Sequence, residues 1–167
     1  MLDQLLPQRI DNTYRGHKLA LWLFGLVVFM KTSIGLGTIF NGHNAAITAD
    51  GIPLDTFTPA GTQAFVSIFA AWGLAQAIIG LLCILVLVRY RAMVPCMFLL
   101  LLLEHLCRRL IFFVMPIARI GAPPGFFINL ALVALMILGL VLSLRNQDDS
   151  QALKKRPRAI PRGELEA

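Results

Sequence analysis

Glu104, His105, Arg108 and Arg109 fall within one short stretch whose other members are Leu and Cys, inside a longer run of Leu, Ile, Phe, Val and Met. A carboxylate, an imidazole and two guanidinium groups are the side chains of proton transfer and of anion binding. On a helix, Glu104 and Arg108 are spaced i, i+4, as are His105 and Arg109, so all four lie within roughly 140° of one another. The helix therefore has one wet face. An ionisable group at bilayer depth costs about 2.5–3.5 kcal/mol on insertion scales, so such groups face a bundle interior, as a site or as a structural ion pair.

Two more polar residues sit at a comparable depth in other hydrophobic segments. Lys31 lies just past the midpoint of the first segment, too deep to reach either surface easily, and Gln76 is near the middle of the second. Counting residues inward puts Lys31, Gln76 and Glu104 at about one level. The expected arrangement is a Lys31–Glu104 bridge with Gln76 as hydrogen-bond partner, fixing helix register, and Arg108 competing for Glu104. Arg108, Arg109 and, in the last segment, Asn129 lie farther outward and form a candidate site for an anion or lipid headgroup. Once Glu104 is paired, no carboxylate in a hydrophobic segment is left for Arg109. Asp50 or Asp55 can descend from the long loop, a headgroup or anionic ligand can supply the charge, or Arg109 can extend to the interface.

The elements that must position these residues follow from composition. The chain is 57% hydrophobic and 14% charged, an imbalance that soluble domains rarely show. Residues 19–40, 63–88, 93–114 and 126–144 are each long enough to cross about 30 Å of hydrocarbon at 1.5 Å per residue. No alternating strand pattern is present, which leaves helices as the spanning element. The expected fold is all-α, a polytopic membrane protein with four transmembrane helices in an antiparallel bundle. Residues 1–18 form an interfacial segment, 19–144 the membrane domain, and 145–167 a disordered basic tail.

Charge placement orients the bundle. Arg9, Arg15 and Lys18 precede the first segment, Arg89 and Arg91 join the second and third, and Arg145, Lys154, Lys155, Arg156, Arg158 and Arg162 follow the fourth. The positive-inside rule then puts both termini in the cytoplasm and loops 41–62 and 116–125 on the other side. The net charge of +6 serves anionic lipid heads, so no nucleic-acid partner is expected. Trp22 and Tyr14 have the positions of interface anchors.

Other patterns carry less chemistry. Cys83, Cys96 and Cys107 make no C-x-x-C pair and are read as small packing residues. His43, Asp50 and Asp55 fit no metal template. Ser33 with Gly37, and Gly73 with Ala77 and Gly80, are small-residue seams that would let neighbouring backbones approach. Loop 41–62, punctuated by Asp50-Gly51, Pro53 and Pro59, is expected to be irregular, with Thr58-Pro59 or Thr62 starting the next helix.

Gly73-Leu74-Ala75-Gln76-Ala77-Ile78-Ile79-Gly80-Leu81-Leu82, continued through Arg89-Tyr90-Arg91 and the Leu-rich and apolar segments that follow, resembles the DoxX-like group of small four-helix bacterial membrane proteins. The resemblance implies the bacterial inner membrane and, since some members are implicated as subunits of quinone-linked oxidoreductases, a quinone or a membrane partner. The chain departs from the group in carrying Lys31, and Glu104-His105 with Arg108-Arg109 has no counterpart there.

Three function classes compete. The first is an accessory or binding protein holding a lipid, a quinone or a partner subunit, alone or as an oligomer. The second is a small transporter or proton relay through Lys31, Glu104 and His105. An enzyme reading, with Glu104 and His105 as base and acid, is weaker because adjacent helical residues point about 100° apart. No catalytic residue and no metal is assigned.

Overall fold

The computed structural model describes residues Asn12, Tyr14 and 16–145. The expectations for residues 1–11 and for the tail beyond residue 145 lie outside this range. Four long helices follow one another: α1 (Lys18–Phe40), α2 (Pro59–Arg89), α3 (Val94–Val114) and α4 (Pro124–Leu144). The described residues form an all-helical chain.

The helix starts follow from local chemistry. The His17 ring accepts a hydrogen bond from Leu19 N at 3.2 Å, capping α1. Thr58 Oγ1 accepts from Gly61 N at 3.2 Å, with Pro59 in the first turn of α2. Pro95 and Pro124 occupy the opening turns of α3 and α4, where a missing backbone donor costs nothing. The second helix takes the earlier of its two expected starts, and its 31 residues span about 46 Å at 1.5 Å per residue, more than the thickness of a bilayer's hydrocarbon.

By length and composition α1, α2 and α4 could cross a membrane, the pattern of an integral membrane protein. Helix α3 has 21 residues, enough to span, but it carries Glu104, Arg108 and Arg109. The outward surface is apolar: Trp22 is 81% exposed, Phe40 83% and Phe113 84%. Water would not tolerate so large an apolar surface on a monomer, whereas lipid would.

The packing has layers. At the end holding the start of α1, a core drawn from all four helices includes Phe24, Val27, Cys83, Phe98, Leu101 and Met136. Phe24 and Phe98 meet edge to face at 5.0 Å. Tyr14 is tucked against this core with its hydroxyl buried and without a partner among the described residues, so it is no exposed interface anchor. Cys107, by contrast, points outward and packs nothing, while Cys83 is buried.

The most extensive packing is α1 on α2. Gly25 lies against Leu87, Thr32 against Gly80, Gly35 against Gly73 and Gly42 against Val66, so the two helices run in opposite directions. The expected seam on α2 is present, but its counterpart on α1 is Thr32, Gly35 and Thr38 rather than Ser33 and Gly37. Ser33 and Gly37 are exposed, and nothing lies within 4 Å of where a Gly37 side chain would begin. The reason is angular: Gly35 and Thr38 share the face of Lys31, which the buried polar group turns inward.

Loop 41–58 is more regular than its turn residues suggest. It begins as a helical turn, Gly42–Asn44, continues as a π turn, Ala45–Ala49, and contains a 3₁₀ turn, Leu54–Thr56. Ala46, Ile52 and Leu54 are buried against Phe65, Val66, Phe69 and Ile117, giving the loop its own small core. Gly51 turns at φ 67°, which glycine adopts without penalty, and its carbonyl accepts from Ile120 N at 2.8 Å. That bond ties the long loop to the α3–α4 connection.

Candidate functional site

The middle layer of the molecule is polar. Lys31 Nζ donates to Glu104 Oε2 at 2.5 Å, and Gln76 Nε2 donates to Glu104 Oε1 at 2.8 Å. Lys31 is 6% exposed and Glu104 25%. Three helices thus converge on one carboxylate, which fixes their relative register. Arg108, the competing cation, stops 3.8 Å from Oε1.

Arg108 is held instead by what lies above Glu104. Its guanidinium sits 4.9 Å over the Trp72 ring, a cation–π geometry, and its Nη2 is 2.8 Å from His105 Nδ1. A guanidinium has no lone pair to offer, so Nδ1 accepts. A neutral His105 therefore carries its proton on Nε2. His105 is 1% exposed, and its Nε2 has no partner among the described residues.

His105 and Arg108 belong to the wall of a cavity of about 630 Å³ near the loop end of the helices. Its apolar side is aromatic, from Phe65, Phe69 and Trp72 of α2, Phe112 of α3 and Phe126 of α4. The polar side adds Asp50, Arg109, Arg119 and Asn129. A volume in this range suits a small-molecule ligand, and an apolar wall with a few placed polar groups is the usual make-up of such sites.

Arg109 and Arg119 resemble Arg108 in standing over rings, at 5.1 Å from Phe126 and 5.5 Å from Phe112 respectively. Stacking uses the flat face of a guanidinium and leaves its edge donors for an acceptor. Asp50 comes down to the cavity, whereas Asp55 stays exposed. Yet Asp50 makes no ion pair within 4 Å among the described residues. Burial pushes its carboxyl above the ordinary value of 3.8, against the opposing pull of Arg119 and Arg108.

The residues singled out in the sequence thus divide into two groups. Lys31, Gln76 and Glu104 make the lock; Arg108, Arg109 and Asn129 line the cavity; His105 joins the second group through its contact with Arg108. Sequence reasoning missed Arg119 and the aromatic wall. Phe65, Phe69 and Trp72 recur at the i, i+4, i+7 spacing of one helix face, a signal that could have been read. Arg119 lies in a connection, where no period exists.

No group of His, Cys, Asp and Glu suited to a metal occurs among the described residues. Comparison with protein families, curated proteins and solved structures finds no match to this chain.

Proposed function

We propose that this is a polytopic membrane protein of four transmembrane helices in an antiparallel bundle, whose cavity binds a small amphiphilic ligand and whose Lys31–Glu104–Gln76 layer holds the bundle in register. The observation that carries the reading is the cavity's composition, an apolar, largely aromatic lining with three arginines stacked on its rings. Helix α3 would span despite its charges because Glu104 is paired and Arg108 faces inward, which removes the main cost of burying them.

The polar chain argues against a proton relay. Lys31, Glu104, Arg108 and His105 are linked, but among the described residues no hydrogen bond runs from them to Cys83 or Tyr14, the titratable side chains of the adjacent core around Phe24, Val27, Phe98 and Leu101. An acid–base enzyme is also disfavoured, since both Glu104 oxygens and His105 Nδ1 already have partners. A subunit of a quinone-linked oxidoreductase, as the DoxX-like resemblance implies, remains compatible with the cavity, in which a quinone ring would meet aromatic faces and hydrogen-bond donors.

Trp72 reports on occupancy. The chain has two tryptophans, so Trp22→Phe leaves Trp72 as the only emitter. In detergent micelles a bromine-labelled dodecyl chain should quench Trp72 with a saturable component at about one chain per protein. Quenching that rises only in proportion to the brominated fraction of the micelle would mean that no ligand site exists.

The bundle is further proposed to lie in a bacterial inner membrane with both termini in the cytoplasm. The support is the clustering of Lys and Arg before α1, between α2 and α3, and after α4. Reporter enzymes fused to the C-terminus should be active only in the cytoplasm. Activity on the outer side would reverse the topology and place the cavity at the cytoplasmic surface.

A further inference from the structure

The cavity's charges do not balance. Its wall holds three arginines and one aspartate, while Glu104, the nearest other carboxylate, already receives Lys31 and Gln76. Arg109 and Arg119 have no carboxylate within 4 Å among the described residues. Two exposed guanidinium groups thus stand over aromatic rings of the lining with donor edges free to take an anion.

The charged groups of the lining, Asp50 apart, are guanidinium donors, and Asn129 adds an amide with one acceptor and two donor hydrogens. A ligand matched to the cationic excess brings acceptors and negative charge. Apart from His105 and Asn129 the rest of the lining, including Phe65, Ile68, Phe69 and Ile111 and the rings under the arginines, is apolar and suits a hydrocarbon body. The two requirements together describe an acidic amphiphile.

We propose that the cavity selects an amphiphile with an acidic, phosphate-type headgroup, bound by Arg109 and Arg119, with Arg108 behind them and the chain along the aromatic wall. This rests on the ligand-binding reading above and sharpens it, because a neutral quinone or alcohol would leave the cationic excess uncompensated. Asp50 sets an upper bound on ligand charge. Its carboxylate opposes a highly charged head, so a head with one or two negative charges matches the net excess of the wall.

The test uses the full chain in a neutral maltoside detergent and compares four probes by calorimetry and thermal shift: dodecyl phosphate, dodecanol, decylubiquinone and inorganic phosphate. Dodecyl phosphate should bind at least about 10-fold more tightly than dodecanol or decylubiquinone, and more weakly as salt rises. Inorganic phosphate at the same concentrations should give no shift, since it lacks the chain. Arg109→Gln and Arg119→Gln should each weaken dodecyl phosphate by roughly 10-fold or more, while Arg91→Gln, at the opposite end of the molecule, should not.

The outcomes separate. If dodecanol or decylubiquinone binds as well as dodecyl phosphate, and the arginine variants change nothing, the acidic headgroup is wrong while a ligand cavity remains. Equal binding of inorganic phosphate would overturn the amphiphile and leave a simple anion site. If no probe binds, both this inference and the ligand-binding reading fall.

Discussion

Glu104→Gln is expected to lower stability in a reversible detergent unfolding assay by about 3–5 kcal/mol, because it leaves the buried Lys31 ammonium without its counter-charge. The loss is smaller to the extent that Lys31 sheds its proton or accepts the Gln carbonyl as partner. Lys31→Met should cost less than Glu104→Gln. The stranded carboxylate would still have Gln76 at 2.8 Å and could draw in Arg108, now 3.8 Å away, whereas Lys31 has no second acceptor among the described contacts. The double variant should recover much of the larger loss, since it removes both charges together. Single and double changes that add within about 0.5 kcal/mol would mean that the two side chains do not interact. An equally informative failure would be unchanged stability with loss of amphiphile binding, which would move Glu104 from lock to ligand site.

Gly73→Val should cost about 3 kcal/mol, the upper part of the usual range for overpacking. A Cβ on Gly73 would stand 2.7 Å from the carbonyl oxygen of Gly35 and 2.9 Å from Thr38 Cβ. Backbone cannot rotate out of the way as a side chain does, so α1 and α2 would have to part. Their separation would also disturb Gln76, one turn along, and through it Glu104. Gly37→Val provides the contrast, because open space surrounds that position; its change should stay within about 0.5 kcal/mol. Equal melting temperatures for the two variants would remove the seam from the account of how the helices are held.

These two layers, lock and seam, show how far the one-dimensional pattern reaches. The helices end where prolines, a Thr cap and polar links say they must, so α3 and α4 begin within two residues of the expected positions. That agreement has a local cause, since a missing N–H or a capping hydroxyl acts on its own turn. The meeting of Lys31 with Glu104 was also legible, because burial cost leaves few alternatives and depth can be counted at a fixed rise per residue.

Rotation about a helix axis and the course of a loop are different matters. Ser33 and Gly37 carry the same small-residue signature as Gly73 and Gly80, and that signature alone does not tell that they stay exposed while Gly35 and Thr38, on the Lys31 face, meet α2 together with Thr32. Nor does residue order say that Asp50 and Arg119, far apart in the chain, approach one cavity; the Gly51–Ile120 hydrogen bond and the small core around Ile52 bring their loops together. Amino-acid order determined the helices, their apolar surfaces and the depth of each buried charge, all properties of single elements. Tertiary packing alone decided which donors lost their partners, because satisfaction of a polar group depends on what the neighbouring helices and loops place beside it.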